Sequence, residues 1–260
     1  MSRRQADTIR GLARPLLLGH RGLNTVAPEN TLAAIDGAAA AGAHGVEIDV
    51  RRCATGQLVV SHDPTLRRIT GGADERPVAA VSLDELRQVT RRAARGGPAE
   101  GMATLDEVVN RCRELGLVLN VEMKRDVPSR AALVWACART LAPAGRRHPI
   151  VVSSFDPVML AGLRLAAPQL PVGLLLHRDG RRYQAQLWTR PLGAVAVHVE
   201  RTMVQASQVA RWRARGLRVI AWTVNDLQEV RDLYAIGVDG FISDDPARLR
   251  PELERLGPPY

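Results

Sequence analysis

Short apolar runs with the two-residue period of strands recur along this chain, and stretches of helical periodicity separate them. That alternation limits the folds open to the chain more than any single motif does. Candidate strands fall at 15–21, 44–51, 57–61, 117–124, 150–155, 172–177, 194–199, 218–224 and 240–243. Helical patterns occupy 31–41, 129–141, 157–166, 204–215 and 226–236, with a weaker one at 182–188. Two more open on capping-box sequences, SLDEL at Ser82 and TLDEVV at Thr104. Strands and helices in this order predict a parallel sheet, and 260 residues suit its closed form, a (β/α)8 TIM barrel. Nine candidate strands compete for eight places. Roughly five residues separate 44–51 from 57–61, fewer than a parallel crossover needs, so these two form a hairpin with one arm outside the barrel. The arginine- and glycine-rich stretch 64–103 follows the third strand-like segment and reads as a small insertion at the barrel mouth. With no linker in sight, 15–250 is expected to be a single domain, flanked by a flexible tail at 1–14 and another at 251–260.

Sites in such a barrel form at the C-terminal ends of strands, and His20, Asp49, His62, Lys124, Ser153 and Trp222 all fall at or near such ends. The strand at 44–51 alternates sharply, with Val46, Ile48 and Val50 on one face and Glu47 and Asp49 on the other. The strand at 117–124 repeats this, setting Leu119, Val121 and Met123 against Asn120, Glu122 and Lys124. Glu47, Asp49 and Glu122 thus make three carboxylates on one side. Left alone they repel and raise each other's pKa, so either a divalent cation or arginine partners must neutralise them. An all-oxygen donor set selects Mg²⁺, Ca²⁺ or Mn²⁺ over zinc. The hairpin brings His62 back toward the end of the second strand. Two histidines, His20 and His62, suit general acid and base work near neutral pH. Arg21 offers a bidentate fork to a phosphoryl group, and Lys124, the only lysine in the chain, a point charge. After Pro28 breaks the chain, Asn30 or Thr31 caps the next helix and Glu29 is left in a loop beside the strand end. Asp63, Asn120, Ser153, Phe155 and Trp222 complete the candidate lining. His177 and His198 also end strands and are assigned no chemistry.

The net charge of +9 is carried almost wholly by arginine, a bias that reflects coding composition before function. Aromatics at 3% leave few stacking platforms, which argues against a nucleic-acid surface. Cys53, Cys112 and Cys137 are widely spaced and form no CxxC pair, so neither a disulfide framework nor a thiolate zinc site is indicated. No apolar run approaches the ~18 residues that cross a bilayer, and the start MSRRQADTIRGLARP lacks the apolar core of a signal peptide. No stable membrane insertion and a cytoplasmic location are therefore expected. GxSxG, P-loop and GxGxxG patterns are absent.

Taken in order, HRG with APENT, then E-x-D, HD, N-x-E-x-K, WTVN and GVDGFISD resemble the glycerophosphodiester phosphodiesterase family, over about 17–246. The resemblance implies a TIM barrel in which Glu47, Asp49 and Glu122 hold one divalent cation, Mg²⁺, Ca²⁺ or Mn²⁺. It makes His20 and His62 the base and acid, puts Arg21 and Lys124 at the phosphate, and sets Glu29 at the site's edge. The implied activity is metal-dependent hydrolysis of small-molecule glycerophosphodiesters to sn-glycerol 3-phosphate and an alcohol. Two other readings compete with it. A lysophospholipase D or phospholipase-like activity on acylated substrates needs an apolar approach, which the composition of 64–103 does not suggest. A basic barrel could instead bind phosphorylated ligands or polyanions without turnover, but the intact histidines and carboxylates speak against that. Three departures from the family pattern, Cys53 to Gly56 in the hairpin turn, Ser243 and Asp245, remove no proposed catalytic group.

Overall fold

The computed structural model describes residues 9, 11–12, 14–93, 101–178 and 184–257, without the side chains of 184–186. Its strands are β1 (Leu16–His20), β2 (Gly45–Arg52), β3 (Leu58–Val60), β4 (Val118–Met123), β5 (Ile150–Ser154), β6 (Val172–Leu176), β7 (Ala196–Glu200), β8 (Arg218–Trp222) and β9 (Gly240–Ser243). Its helices are α1 (Leu32–Ala40), α2 (Leu83–Ala93), α3 (Leu105–Leu115), α4 (Arg130–Ala144), α5 (Pro157–Ala166), α6 (Gln184–Leu192), α7 (Ala206–Ala214), α8 (Leu227–Ala235) and α9 (Pro246–Leu256). Eight of the strands are parallel and close on themselves, because β1 pairs with both β2 and β9. The ninth, β3, pairs antiparallel with β2 alone, Val60 opposite Val50. It is the hairpin arm outside the barrel, and it takes the edge of β2 above the point where β1 ends at His20 opposite Glu47.

The two-residue period sorts every strand into two faces. Outward residues such as Leu17, Val46, Ile48, Leu119 and Val121 join the buried faces of the helices, among them Ile35 and Ala38 of α1, in the main core. Inward residues Leu16, Leu18, Val118, Ile220 and Ile242 form an apolar layer inside the barrel. Further along the same faces stand Asn120, Ser153 and His198, all buried, and then the ionisable side chains of the mouth. The three cysteines are free and buried; burial pushes the thiols of Cys112 and Cys137 up to about 12.

Of the residues described within 1–14, Ile9 is buried with Val151, Val195 and Ala196, and Arg14 pairs with Asp239 at 3.4 Å. Within 251–260, α9 continues to Leu256 and buries Leu249 and Leu253 one turn apart, while 258–260 lie outside the described residues. Helix α6 starts at Gln184; the earlier part of the pattern at 182–188 also lies outside them. In the insertion, Leu66, Val78, Val81, Leu86 and Met102 bury themselves against Cys53 and Val59, forming a small core of their own on the hairpin. Both sequence-predicted capping boxes form: Ser82 and Glu85 exchange bonds at the head of α2, as do Thr104 and Glu107 at α3.

Candidate active site

The first loop owes its path to three backbone positions of positive φ, Arg21 at 57°, Gly22 at 92° and Asn30 at 59°. At Gly22 a Cβ would lie 2.5 Å from the Ala34 backbone, so only glycine lets the loop pass so close to α1. Arg21 is held by its N–H donating to the Glu47 carbonyl at 2.8 Å, and Asn30 by its N–H donating to the Arg21 carbonyl at 2.9 Å. A non-glycine residue in this region costs free energy and is typical of sites where geometry is over-determined. Thr31, one of the two expected caps, accepts from the Ala34 N–H and starts α1. Asn30 has another task. It donates to Asp49 Oδ2 at 3.0 Å and accepts from the Asp49 N–H at 3.2 Å, clamping the acid to the loop.

Glu47, Asp49 and Glu122 come together as the alternation requires. One oxygen from each lies within 4.8 Å of the others, and all three side chains are buried. Lys124 Nζ sits 3.1 Å from Asp49 Oδ1 and 2.9 Å from Glu122 Oε1. Arg21 Nε lies 3.1 Å from Asp49 Oδ2, close enough for charge attraction but not aligned as a hydrogen bond. Two cations thus face three carboxylates, and they are shared unequally. Burial would raise Asp49, but the Lys124 ammonium and the Arg21 guanidinium hold it down to about 2. Burial and the Asp49 charge push Glu122 up to about 7, and burial and the Asp49 and Glu122 charges push Glu47 well above the carboxylate range. Glu47 Oε2 has no hydrogen-bond partner. A buried, under-compensated, all-oxygen donor set with an orphaned oxygen fits a hard divalent cation.

Each candidate histidine is backed by an aspartate. His20 Nδ1 lies 2.6 Å from Asp244 Oδ1, and Asn24 and Asn225 also donate to Asp244, at 2.6 and 2.7 Å. Burial works to raise Asp244, yet these bonds hold it well below the ordinary carboxylate range. His62 Nδ1 lies 2.6 Å from Asp63 Oδ1, and the buried Arg51 fixes the His62 carbonyl while gripping the Asp126 carboxylate at 2.8 and 2.9 Å. Burial lowers the His62 pKa against the pull of the Asp49 charge. Arg68, from the insertion, donates to Asp63 Oδ2 at 2.5 Å and to Glu29 Oε1 at 2.6 Å. Glu29 in turn accepts from Arg21 Nη1 at 2.9 Å. Glu29 therefore orients Arg21 and is tied to the His62 side of the site through one arginine.

The remaining candidates divide into two groups. Phe155 and Trp222 pack edge to face at 5.6 Å, and Trp222 stacks on His177 at 5.9 Å, making an aromatic wall. Asn120 and Ser153 lie beneath the acids: Asn120 Nδ2 is 3.4 Å from His198 Nδ1, while Asn120 Oδ1, Ser153 Oγ and Trp222 Nε1 are buried without partners. Sequence reading missed Asp244, Asn24, Asn225, Arg51 and Arg68. Asp244 had a signal, since it directly follows β9 and so stands at a strand end. Arg68 had none, being one arginine in an arginine-rich stretch.

This geometry can bind an anion at Arg21 and Lys124, hold a divalent cation on three carboxylates, and exchange protons through two imidazoles. Comparisons with known proteins bear on the family of the chain. The family model described as "Glycerophosphoryl diester phosphodiesterase family" matches residues 20–248. A glycerophosphodiester phosphodiesterase of Caldanaerobacter subterraneus subsp. tengcongensis is 29% identical, over 91% of this chain and 96% of its own length. An Oleispira antarctica phosphodiesterase, solved with the product sn-glycerol-3-phosphate, superposes with a TM-score of 0.81 at 26% identity, over 96% of this chain and 99% of that one. The Thermotoga maritima glycerophosphodiester phosphodiesterase superposes with a TM-score of 0.74 at 27% identity, over 91% and 97%.

Proposed function

The chain belongs to the glycerophosphodiester phosphodiesterase family and is a phosphoric diester hydrolase; we propose that it cleaves glycerophosphodiesters to sn-glycerol 3-phosphate and an alcohol, using His20 and His62 as base and acid. The observation that carries the reading is the pair of imidazoles, each 2.6 Å from an aspartate, at the same barrel mouth as the acid cluster. Arg21 and Lys124 bind the phosphodiester oxygens. His20 takes the proton of the attacking hydroxyl, either water, which gives glycerol 3-phosphate directly, or the neighbouring glycerol hydroxyl, which gives a cyclic phosphate that water then opens to glycerol 3-phosphate, and Asp244 stabilises the resulting imidazolium. The bond from phosphorus to the departing alcohol breaks as His62 delivers a proton to the alkoxide. The depressed His62 pKa makes that proton easier to give up. Glu47, Asp49 and Glu122 are the residues that would hold a divalent cation, which supplies charge stabilisation for the phosphoryl oxygens when bound.

The test is a panel of glycerophosphocholine, glycerophosphoethanolamine and glycerophosphoglycerol, each with Mg²⁺, Ca²⁺ or Mn²⁺ added singly to chelator-stripped protein. Released glycerol 3-phosphate is expected with at least one ion and none in excess chelator. Its absence under every combination would overturn the proposal, and full activity in chelator would remove the metal from it.

A further inference from the structure

Of the five large apolar side chains that stand exposed among the described residues, four lie on consecutive helices of the outer ring: Trp135 on α4, Val158 and Leu165 on α5, and Leu187 on α6. Three of them meet around one helix contact. Gly162 lets α5 approach α4 so closely that a Cβ there would lie 3.4 Å from Val134 Cγ1. Val158 and Leu165 stand about one turn before and after Gly162, and Trp135 directly follows Val134. Leu165 is 87% exposed, Val158 66% and Trp135 62%, so the crest of the α4–α5 seam is apolar and in water. Single exposed apolar residues are ordinary, but a group of them on one face marks a contact surface.

The charge of that face has one sign. From 129 to 177 the sequence holds five arginines and one carboxylate, Asp156. Asp156 is buried, caps α5 and pairs with Arg130 at 2.9 Å. Neither α4 nor α5 carries a carboxylate of its own. Arg139 follows Trp135 by one turn, Arg146 and Arg147 follow the end of α4, and all three are exposed. Elsewhere on the ring α8 and α9 mix both signs, so a general preference for arginine does not by itself produce such a face.

We propose that the outer face of α4 and α5 is a peripheral docking surface for an anionic lipid bilayer. Trp135, Val158 and Leu165 enter the interfacial layer, while Arg139, Arg146 and Arg147 meet lipid phosphates. Tryptophan and arginine suit that layer, each pairing an apolar body with a polar end. Docking of this kind needs no spanning helix, and no described helix is long and apolar enough to be one. A second copy of the chain fits less well, because a twofold interface would set the arginines of this face against themselves. The inference goes beyond the phosphodiesterase reading and does not depend on it.

Cosedimentation with vesicles tests it. The protein should be retained on phosphatidylcholine vesicles that contain phosphatidylserine, roughly tenfold less on phosphatidylcholine alone, and progressively less as salt rises. Trp135→Asp, Leu165→Asp and Arg139→Glu should each cut retention several-fold, with melting temperatures near wild type because all three positions are solvated. Arg21→Ala, which removes the phosphate fork of the active site, should leave retention as it is. Four results overturn the inference: no retention on the anionic vesicles, equal retention on phosphatidylcholine alone, wild-type retention when Trp135→Asp and Leu165→Asp are combined, or loss of retention in Arg21→Ala. A dimer seen by analytical ultracentrifugation without lipid, and dissociated by the same variants, also overturns it and assigns the face to a second copy.

Discussion

His20 and His62 each touch an aspartate through Nδ1, which leaves Nε2 as the nitrogen free to meet a substrate. Replacing either by alanine removes a proton carrier from a part-exposed position, so turnover should fall on the order of a hundredfold or more while the folded structure persists. Steady-state rates with a matching circular-dichroism melt check this; near-normal rates in both variants would remove the assignment. Asp244→Asn keeps the shape but removes the carboxylate that meets His20 Nδ1, and should lower kcat on the order of tenfold or more with little change in KM. The position of both histidines at the barrel mouth was legible because each was read at a strand end. Asp244 was not weighed, because its partner His20 lies 224 residues earlier in the chain and only closure of β9 against β1 brings them together.

Among the elements, the insertion turns out to be coupled to the barrel rather than merely set upon it. Arg68 bridges Asp63 and Glu29, and these orient His62 and Arg21 respectively. Its side chain is 48% exposed, so solvent screening leaves the bridge little weight in global stability. Its effect should appear in geometry instead: Arg68→Ala is expected to lower kcat/KM roughly tenfold with a melting temperature close to wild type. Arg68→Lys, able to reach one carboxylate but not to fork between two, should recover only part of the loss. A large drop in melting temperature with unchanged kinetics would contradict this. Strands were readable because a period of two is enforced by burial on one face, and the short hairpin connection forced an antiparallel arm. Helix α9 was not, because Pro251 sits within it and proline argues against a helix interior. The helix forms nonetheless, with Asp245 capping it, Pro246 in its first turn and two leucines buried one turn apart.

At the scale of the whole molecule, one buried cluster and one buried histidine link stability to solution conditions. Three carboxylates compensated by two cations leave the mouth electrostatically strained, so Mg²⁺, Ca²⁺ or Mn²⁺ should raise the melting temperature of chelator-stripped protein, and Glu122→Gln should blunt that rise. The absence of any ion-dependent shift in the wild type would argue against a cation site. His198 acts independently of that cluster. It is 2% exposed inside the barrel, and burial pushes it down to about 4. In the unfolded chain an ordinary imidazole binds a proton near 6.5, so between these two values the unfolded state holds more protons than the folded one. Stability therefore falls as pH drops through 6.5, and the loss is complete below about 4, reaching roughly 3 kcal/mol. Gly173 packs against the ring, where a Cβ would come within 2.9 Å of Nε2, so the replacement must not be larger. His198→Asn fits that limit and does not titrate. Denaturant unfolding of both proteins from pH 7 to pH 4 should show a shallower decline for the variant, and parallel declines would show that His198 does not set the acid limit.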